Sequence, residues 1–327
     1  MINPSGILFV LLNMIVSVNI LSVQINNNEI QSGVELFKSG EMEHAKTFSQ
    51  DYVKSNSADP EGYFYLGRIF FRQKDTNKAE KNFKKAVKLN PNSSKYHTWL
   101  GDTYGNKINN VIFFKKMGMA KKIKKHFTTA IKLDANNIDA REGLIQYYTE
   151  APGIAGGSTE KAMEHAAILK NQDKYRGYGF MAQIYEKQKK YDLAEQEFVS
   201  SVKEFPDSLR GHYRLGYFYQ RMEKWDNAFE LFEQIIIDST ENWGAWYQLG
   251  RTGALSGQNL ERSELAFKKY LSWQPDENNP SHAAARWRLG LIYEHKGEKN
   301  QARREYQASL QLDAKFEQAK KALKKLK

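Results

Sequence analysis

Large apolar residues recur along the chain at helical spacing, and the pattern restarts at a fixed interval. Tyr63, Leu66 and Phe70 fall at i, i+3 and i+7, which predicts one buried face of an α-helix. Ala79, Phe83 and Ala86 repeat that spacing in a second helix, which Leu89-Asn90-Pro91 ends because proline disfavours helical angles in the residue before it. Leu66-Gly67 returns as Leu100-Gly101 after 34 residues. Met181-Ala182, Leu215-Gly216 and Leu249-Gly250 keep the interval of 34, and Leu289-Gly290 follows after 40. A fixed period of this size predicts a solenoid of helix pairs, in which each unit packs only against its neighbours and one elongated domain needs no central core.

The paired helices carry their own packing logic. Gly67 removes a side chain where another helix must approach, and Phe83 fills the space so made. The next copy opens with His97, Leu100, Gly101 and Tyr104 and closes, after an insertion, with Phe127 and Ala130. A weaker copy has Arg141, Leu144 and Tyr148, then Ala162 and Ala166. Three clearer copies follow, with Tyr178 and Phe198, His212 and Phe232, and Trp246 and Phe267. The last pairs Arg286, Leu289, Gly290 and Tyr293 with Ala302 and Tyr306.

These residues resemble the tetratricopeptide repeat, a 34-residue helix-turn-helix family with a W-x2-L-G-x2-Y and A-x3-F pattern and a terminal proline. The resemblance covers nearly all of the chain after its N-terminal segment, and residues 60 to 93 match it best. It implies an all-α, right-handed superhelix of about seven to eight repeats with a C-terminal capping helix. Gly253 stands where an aromatic is usual, and residues 28 to 57 resemble a unit mainly through Ala45, so the repeat number is less defined than the class. The organisation read from this register is a signal peptide or N-terminal anchor over residues 1–23 and a degenerate helical repeat over 24–59. A solenoid over 60–314 follows, with insertions near 105–122 and 151–158, then a basic capping helix over 315–327.

The N-terminus departs from the repeat. Residues 6 to 23 include Ile7, Leu8, Phe9, Val10, Leu11 and Leu12 and carry no charge, whereas Asn26, Asn27 and Asn28 follow. This composition is read as a secretory signal, with an uncleaved anchor as the second reading, since a spanning helix needs about 20 apolar residues. The expected location is therefore periplasmic or secreted, from a bacterial cell. The Pro-Gly-rich loop from Pro152 to Ser158 also resembles insertions in exported bacterial tetratricopeptide proteins.

Charge changes the picture less than its size suggests. The net charge is +11. Residues 111 to 126 hold six lysines and no acid, and residues 315 to 327 hold six lysines and Glu317, so the insertion and the cap account for the whole excess. A nucleic-acid surface wants a continuous basic track, which the repeats lack. In the insertion Phe113, Phe114, Ile112, Met117, Met119 and Ile123 fit a lengthened, partly buried helix with a solvated lysine face. Insertion in a membrane is expected through the N-terminal segment only; the alternative functional reading is an exported protein that associates with an anionic membrane surface or nucleic acid through the lysine-rich insertion and the C-terminal helix. Near the C-terminus Phe316, Ala319, Leu323 and Leu326 make a narrow apolar stripe among lysines, as a cap requires.

Catalytic and metal chemistry find no pattern. There is no cysteine, no H-E-x-x-H and no G-x-S-x-G, and His97 and His212 occupy aromatic packing positions. Gly156-Gly157-Ser158 lacks the order of a phosphate loop. It reads instead as a turn in which Pro152 ends one helix and Ser158 or Thr159 caps the next. No enzyme activity, cofactor, metal or small-molecule substrate is expected. The resemblance implies a protein or peptide partner held in a concave groove by first-helix residues. Carried over residue by residue, these are Phe64 and Arg68; Tyr213, Tyr217 and Gln220; Tyr247 and Arg251; and Trp287, with Arg72 and Arg221 one position further on. Family members that grip a C-terminal carboxylate use Lys and Asn where Phe64 and Arg68 stand, so that mode is not expected here.

Overall fold

The computed structural model describes residues 30–109 and 111–326, with the side chains of Phe113 and Phe114 outside that description. The expected signal or anchor of residues 1–23 and the cap residue Lys327 also lie outside the described residues. Every regular element described is helical: α1 (30–39), α2 (Met42–Ser55), α3 (Pro60–Arg72), α4 (Thr76–Leu89), α5 (Ser94–Ile108), α6 (Phe113–Leu133), α7 (Ile138–Glu150), α8 (Thr159–Gln172) and α9 (Lys174–Lys187). The series continues with α10 (Tyr191–Glu204), α11 (Leu209–Arg221), α12 (Trp225–Asp238), α13 (Trp243–Ser256), α14 (Leu260–Leu271), α15 (His282–His295), α16 (Lys299–Leu312) and α17 (Glu317–Lys325). The chain divides after Lys189 into two compact units.

In the first unit, consecutive helices pack in antiparallel pairs, α3 on α4, α5 on α6 and α7 on α8. The Leu-Gly phrase explains the close approach. A Cβ added at Gly67 would meet the Phe83 ring at 2.6 Å, and one at Gly101 would meet Phe127 at 2.8 Å. Phe127 also lies under Gly143 of α7, 2.3 Å from where its Cβ would be, so one ring serves two helices. Helix starts are capped locally: Asp59 accepts from the Glu61 N–H at 2.9 Å and Asn137 from the Ala140 N–H at 2.8 Å.

The second unit repeats the device. Phe232 underlies Gly216, Phe267 underlies Gly250 and Tyr306 underlies Gly290, with gaps of 2.4, 2.7 and 2.3 Å to an added Cβ. Each of those rings is fully buried. At the C-terminal end α17 packs on α16 through buried Ala319 and Ala322, with Phe316, Leu323 and Leu326 half-buried, and its lysines stay exposed.

The insertion near 105–122 lengthens α6 to 21 residues, against 14 for α4 and α12. Ala120, Ile123, Phe127 and Ala130 form its buried side, while Lys115, Lys121, Lys122 and Lys125 are exposed. The Pro-Gly loop forms a short 3-10 turn over Gly153–Ala155, after which Gly156 takes a left-handed conformation at φ 89°. Gly157 leaves no room for a Cβ, which would lie 1.8 Å from the Ala151 carbonyl oxygen. The loop's amides are consumed internally: Gly156 donates to Gly153, Gly157 to Pro152 and Ser158 to Tyr148, all through backbone carbonyls. They are not presented to an anion. Ser158 instead caps α8, accepting from the Lys161 N–H at 3.3 Å.

Candidate functional site

The ten groove residues fall into two groups, one in each unit. In the first unit, Arg68 of α3 lies among rings. Its guanidinium carbon is 4.4 Å from the Phe37 centroid, 5.0 Å from Trp99, 5.5 Å from Tyr65 and 5.7 Å from Phe64. Cation–π attraction of this kind is worth roughly 0.5–2 kcal/mol per contact, the more so when desolvated. Burial pushes the Arg68 pKa below the usual arginine value, and its Nε is buried with no hydrogen-bond partner among the described residues. Arg72 is exposed at the end of α3, 6.0 Å from the Phe37 ring.

Phe64 requires a correction. It is only 3% exposed, packed within 5.1 Å of the Tyr96 ring and 5.9 Å of Phe83, so it fills the space between helices and offers no face to a partner. The first helix of the next copy covers it, because Tyr96 and Trp99 stand on α5 directly against it.

In the second unit, a polar network fixes Arg251 of α13. Its Nη1 donates to Oε1 of Gln220 on α11 at 2.6 Å and to Oε1 of Gln248 at 3.2 Å. Gln220 is itself buried and donates from Nε2 to the Thr252 hydroxyl at 2.9 Å. Tyr217 accepts from Gln248 Nε2 at 3.4 Å, and its ring centroid is 6.0 Å from the Arg251 guanidinium. Tyr213, half-buried, donates its hydroxyl to Asn242 Oδ1 at 2.7 Å. Arg221 is exposed at the end of α11. Trp287 of α15 is half-buried, with its ring 5.9 Å from Phe316.

Tyr247 is the second correction. It is 4% exposed and lies between Phe267 and Tyr270, with ring centroids at 5.6 and 5.1 Å. Its role is to carry a cation rather than to meet a partner. The Arg288 guanidinium lies 5.4 Å above it and 4.6 Å above Trp287.

Arg288 did not follow from the register, because it stands one residue past Trp287 at a position that usually packs. Burial, reinforced by the repulsion of nearby Arg251, depresses its pKa. Neither Arg251 nor Arg288 has a carboxylate partner among the described residues. Two neighbouring, partly buried guanidiniums beside Tyr217 and Trp287 therefore form a patch of unbalanced positive charge, of the kind that accepts a carboxylate through charge-assisted hydrogen bonds.

Elsewhere on α5, His97 Nε2–H donates to the Pro91 carbonyl at 3.0 Å, so its neutral Nδ1 accepts from His126 Nδ1–H at 2.9 Å. Burial first, then the neighbouring His97 and Lys125, lowers His126 to about 4. This is a packed pair in the first unit, as the aromatic register of His97 implies. Among the described residues, no cluster of three or more His, Cys, Asp or Glu side chains is arranged to hold a metal ion, and no helix is long and apolar enough to cross a membrane.

Known proteins place the repeat. Four stretches match sequence models of the tetratricopeptide repeat: residues 60–93 on α3 and α4, 175–207 on α9 and α10, 211–238 on α11 and α12, and 276–319 on α15 and α16. Curated proteins give no match. A tetratricopeptide repeat protein from Parabacteroides merdae is similar to this chain with a TM-score of 0.52 and 19% identity, over 82% of this chain and 98% of its own. A thermophilic relative from Thermus thermophilus gives a TM-score of 0.49 and 18% identity, over 59% of this chain and 98% of its own. With the Leu-Gly register, the glycine-on-aromatic packing and the four matched repeats in agreement, the chain belongs to the tetratricopeptide-repeat family.

Proposed function

We propose that this protein is an interaction scaffold that binds an acidic peptide or protein segment on the first-helix side of its second unit. The observation that carries the reading is the pairing of Arg251 and Arg288 without a carboxylate, beside Tyr217 and Trp287. Aromatic and arginine side chains are enriched at interface anchors because they bury large area and donate several hydrogen bonds. The Gln220–Gln248 network holds Arg251 in place before any partner arrives, which reduces the ordering cost of binding. Arg68 and Arg72 support a separate contact of the same chemistry in the first unit.

A display selection of random peptides on the purified protein tests this reading. Selected sequences enriched in Asp and Glu, with an aromatic or aliphatic neighbour, support it; enrichment of neutral or basic sequences contradicts it.

A second reading rests on the lysine face of α6. Lys121, Lys124, Lys125 and Lys132 flank one shallow surface in the first unit with Thr128 and Thr129. On this reading anionic membranes or nucleic acid bind there, and replacing those lysines by glutamine abolishes binding while Arg251 and Arg288 are irrelevant. Export is part of the proposal, supported by the uncharged apolar run of residues 6–23. N-terminal sequencing of the protein from its native host checks it, with a start near Val23 expected.

A further inference from the structure

The two segments that interrupt the repeat register meet on one cleft in the first unit. The added turns of α6 bring Met117 and Ala120 to it, and the Pro-Gly turn brings Pro152 and Ile154. The Tyr147 hydroxyl donates to the Ala155 carbonyl and so ties that turn to α7. The cleft has a volume of about 740 Å³, within the range of small-ligand sites. Ile154 is 86% exposed, an isoleucine held at the cleft with most of its surface in water.

An acid lines this cleft with no ion-pair partner among the described residues. Asp102 of α5 is raised to about 7, by burial first and then by the Asp139 and Glu142 carboxylates. Those two acids are themselves bridged by Arg176 at 3.3 Å each, and Glu150 at the cleft's edge pairs with Lys187 at 3.1 Å. Lys116 lines the cleft too, yet is not among the charges acting on Asp102. A carboxylate-bearing ligand would meet a half-buried acid with two more nearby, and a neutral ligand would leave that acid unpaired. An amphipathic cation satisfies both the charge and the apolar walls.

We propose that this cleft binds an organic cation, an alkylammonium or alkylguanidinium group, with its charge on the Asp102 carboxylate and its carbon stem against Met117, Ile154 and Tyr147. The cation comes either from a free amine or from a lysine or arginine side chain of a bound peptide. Its charge is opposite to that of the partner proposed for Arg251 and Arg288, and it lies in the other unit, so either reading can fail alone.

Calorimetric titration of the full chain with hexylammonium chloride, with hexan-1-ol as the uncharged control, and with a blocked tripeptide carrying one central lysine, tests the proposal. Hexylammonium is expected to bind at least about tenfold more tightly than hexan-1-ol, and Asp102→Asn is expected to remove that preference. Tighter binding of the tripeptide than of the amine assigns the cation to a peptide, and the reverse assigns it to a free amine. Gly105→Leu serves as a second variant, because a Cβ at Gly105 meets nothing within 4 Å and the longer side chain fills the cleft from α5 without a clash at its base. It should keep the wild-type circular dichroism and lose the ammonium. No heat with hexylammonium, equal binding of hexan-1-ol, or unchanged binding by either variant overturns the proposal.

Discussion

Gln220 on α11 accepts a 2.6 Å hydrogen bond from Arg251 on α13 while donating to Thr252, so one buried amide ties two repeats together and aims a cation. Replacing it should cost both stability and binding. Gln220→Ala leaves the Thr252 hydroxyl and the Arg251 guanidinium short of a partner in a buried site, an expected loss of about 1–3 kcal/mol. Urea unfolding measures it, and a change under about 0.5 kcal/mol means that water replaces the amide without penalty.

Two helix glycines, one in the repeat phrase and one outside it, should respond with opposite signs. At Gly216 an added Cβ would lie 2.4 Å from the buried Phe232 ring, so Gly216→Ala should destabilise by about 1–3 kcal/mol through overpacking. At Gly105, inside α5, nothing lies within 4 Å, and Gly105→Ala should stabilise by about 0.5–1 kcal/mol through helix propensity alone. Thermal unfolding of the two variants side by side checks the contrast.

That contrast also explains what the sequence made legible. Gly67, Gly216 and Gly250 could be assigned to helix contacts because each is one side of a glycine-aromatic pair repeated at a fixed interval, and a packing contact repeated in space repeats in sequence. Phe64 and Tyr247, both buried, mark the limit of the same signal. The register marks them as facing inward, but whether the next helix covers them depends on Tyr96 and Trp99 in one case and on Tyr270 and Arg288 in the other. Arg288 was hidden because its neighbour Trp287 occupies the expected position. Asp102 was readable in principle, since it follows Leu100-Gly101 as Arg68 follows Leu66-Gly67 and Arg251 follows Leu249-Gly250. Its isolation depends on the insertion and the Pro-Gly loop converging, which no local pattern encodes.

His126 should make the first unit sensitive to acid. Its folded pKa of about 4 lies below the ordinary 6.5, so its contribution is complete above pH 6.5 and is lost as the pH falls toward 4. Allowing for its partial exposure, the loss is about 2 kcal/mol. The difference between the urea midpoints at pH 7.5 and 5 should change between the wild type and His126→Gln, the variant being relatively the more stable at pH 5 by about that amount. Equal separation in both proteins assigns the acid sensitivity to other groups.

Asp102 should act in the opposite direction over nearly the same range. Its folded pKa of about 7 lies above the unfolded value of 3.8, so the protonated form's advantage is complete below pH 3.8 and is lost as the pH rises to 7. Asp102→Asn should therefore gain about 1–3 kcal/mol on the wild type at pH 8, with the gain shrinking toward pH 4. Because the two slopes oppose, the wild-type profile should be flatter than that of either variant. A gain at pH 8 that persists undiminished at pH 4 contradicts the burial of an ionised Asp102 as its cause.

The central claim is that the Arg251 and Arg288 patch, rather than the lysine face of α6, recognises the partner. Its most direct test is the affinity of one acidic peptide from the display selection for three proteins at fixed salt. These are the wild type, Arg251→Gln/Arg288→Gln, and a variant with Lys121, Lys124, Lys125 and Lys132 replaced by glutamine. The account predicts a loss of about a hundredfold or more in the arginine variant, corresponding to two charge-assisted contacts, and less than about threefold in the lysine variant. Equal affinity for the wild type and the arginine variant, with the loss confined to the lysine variant, would contradict it.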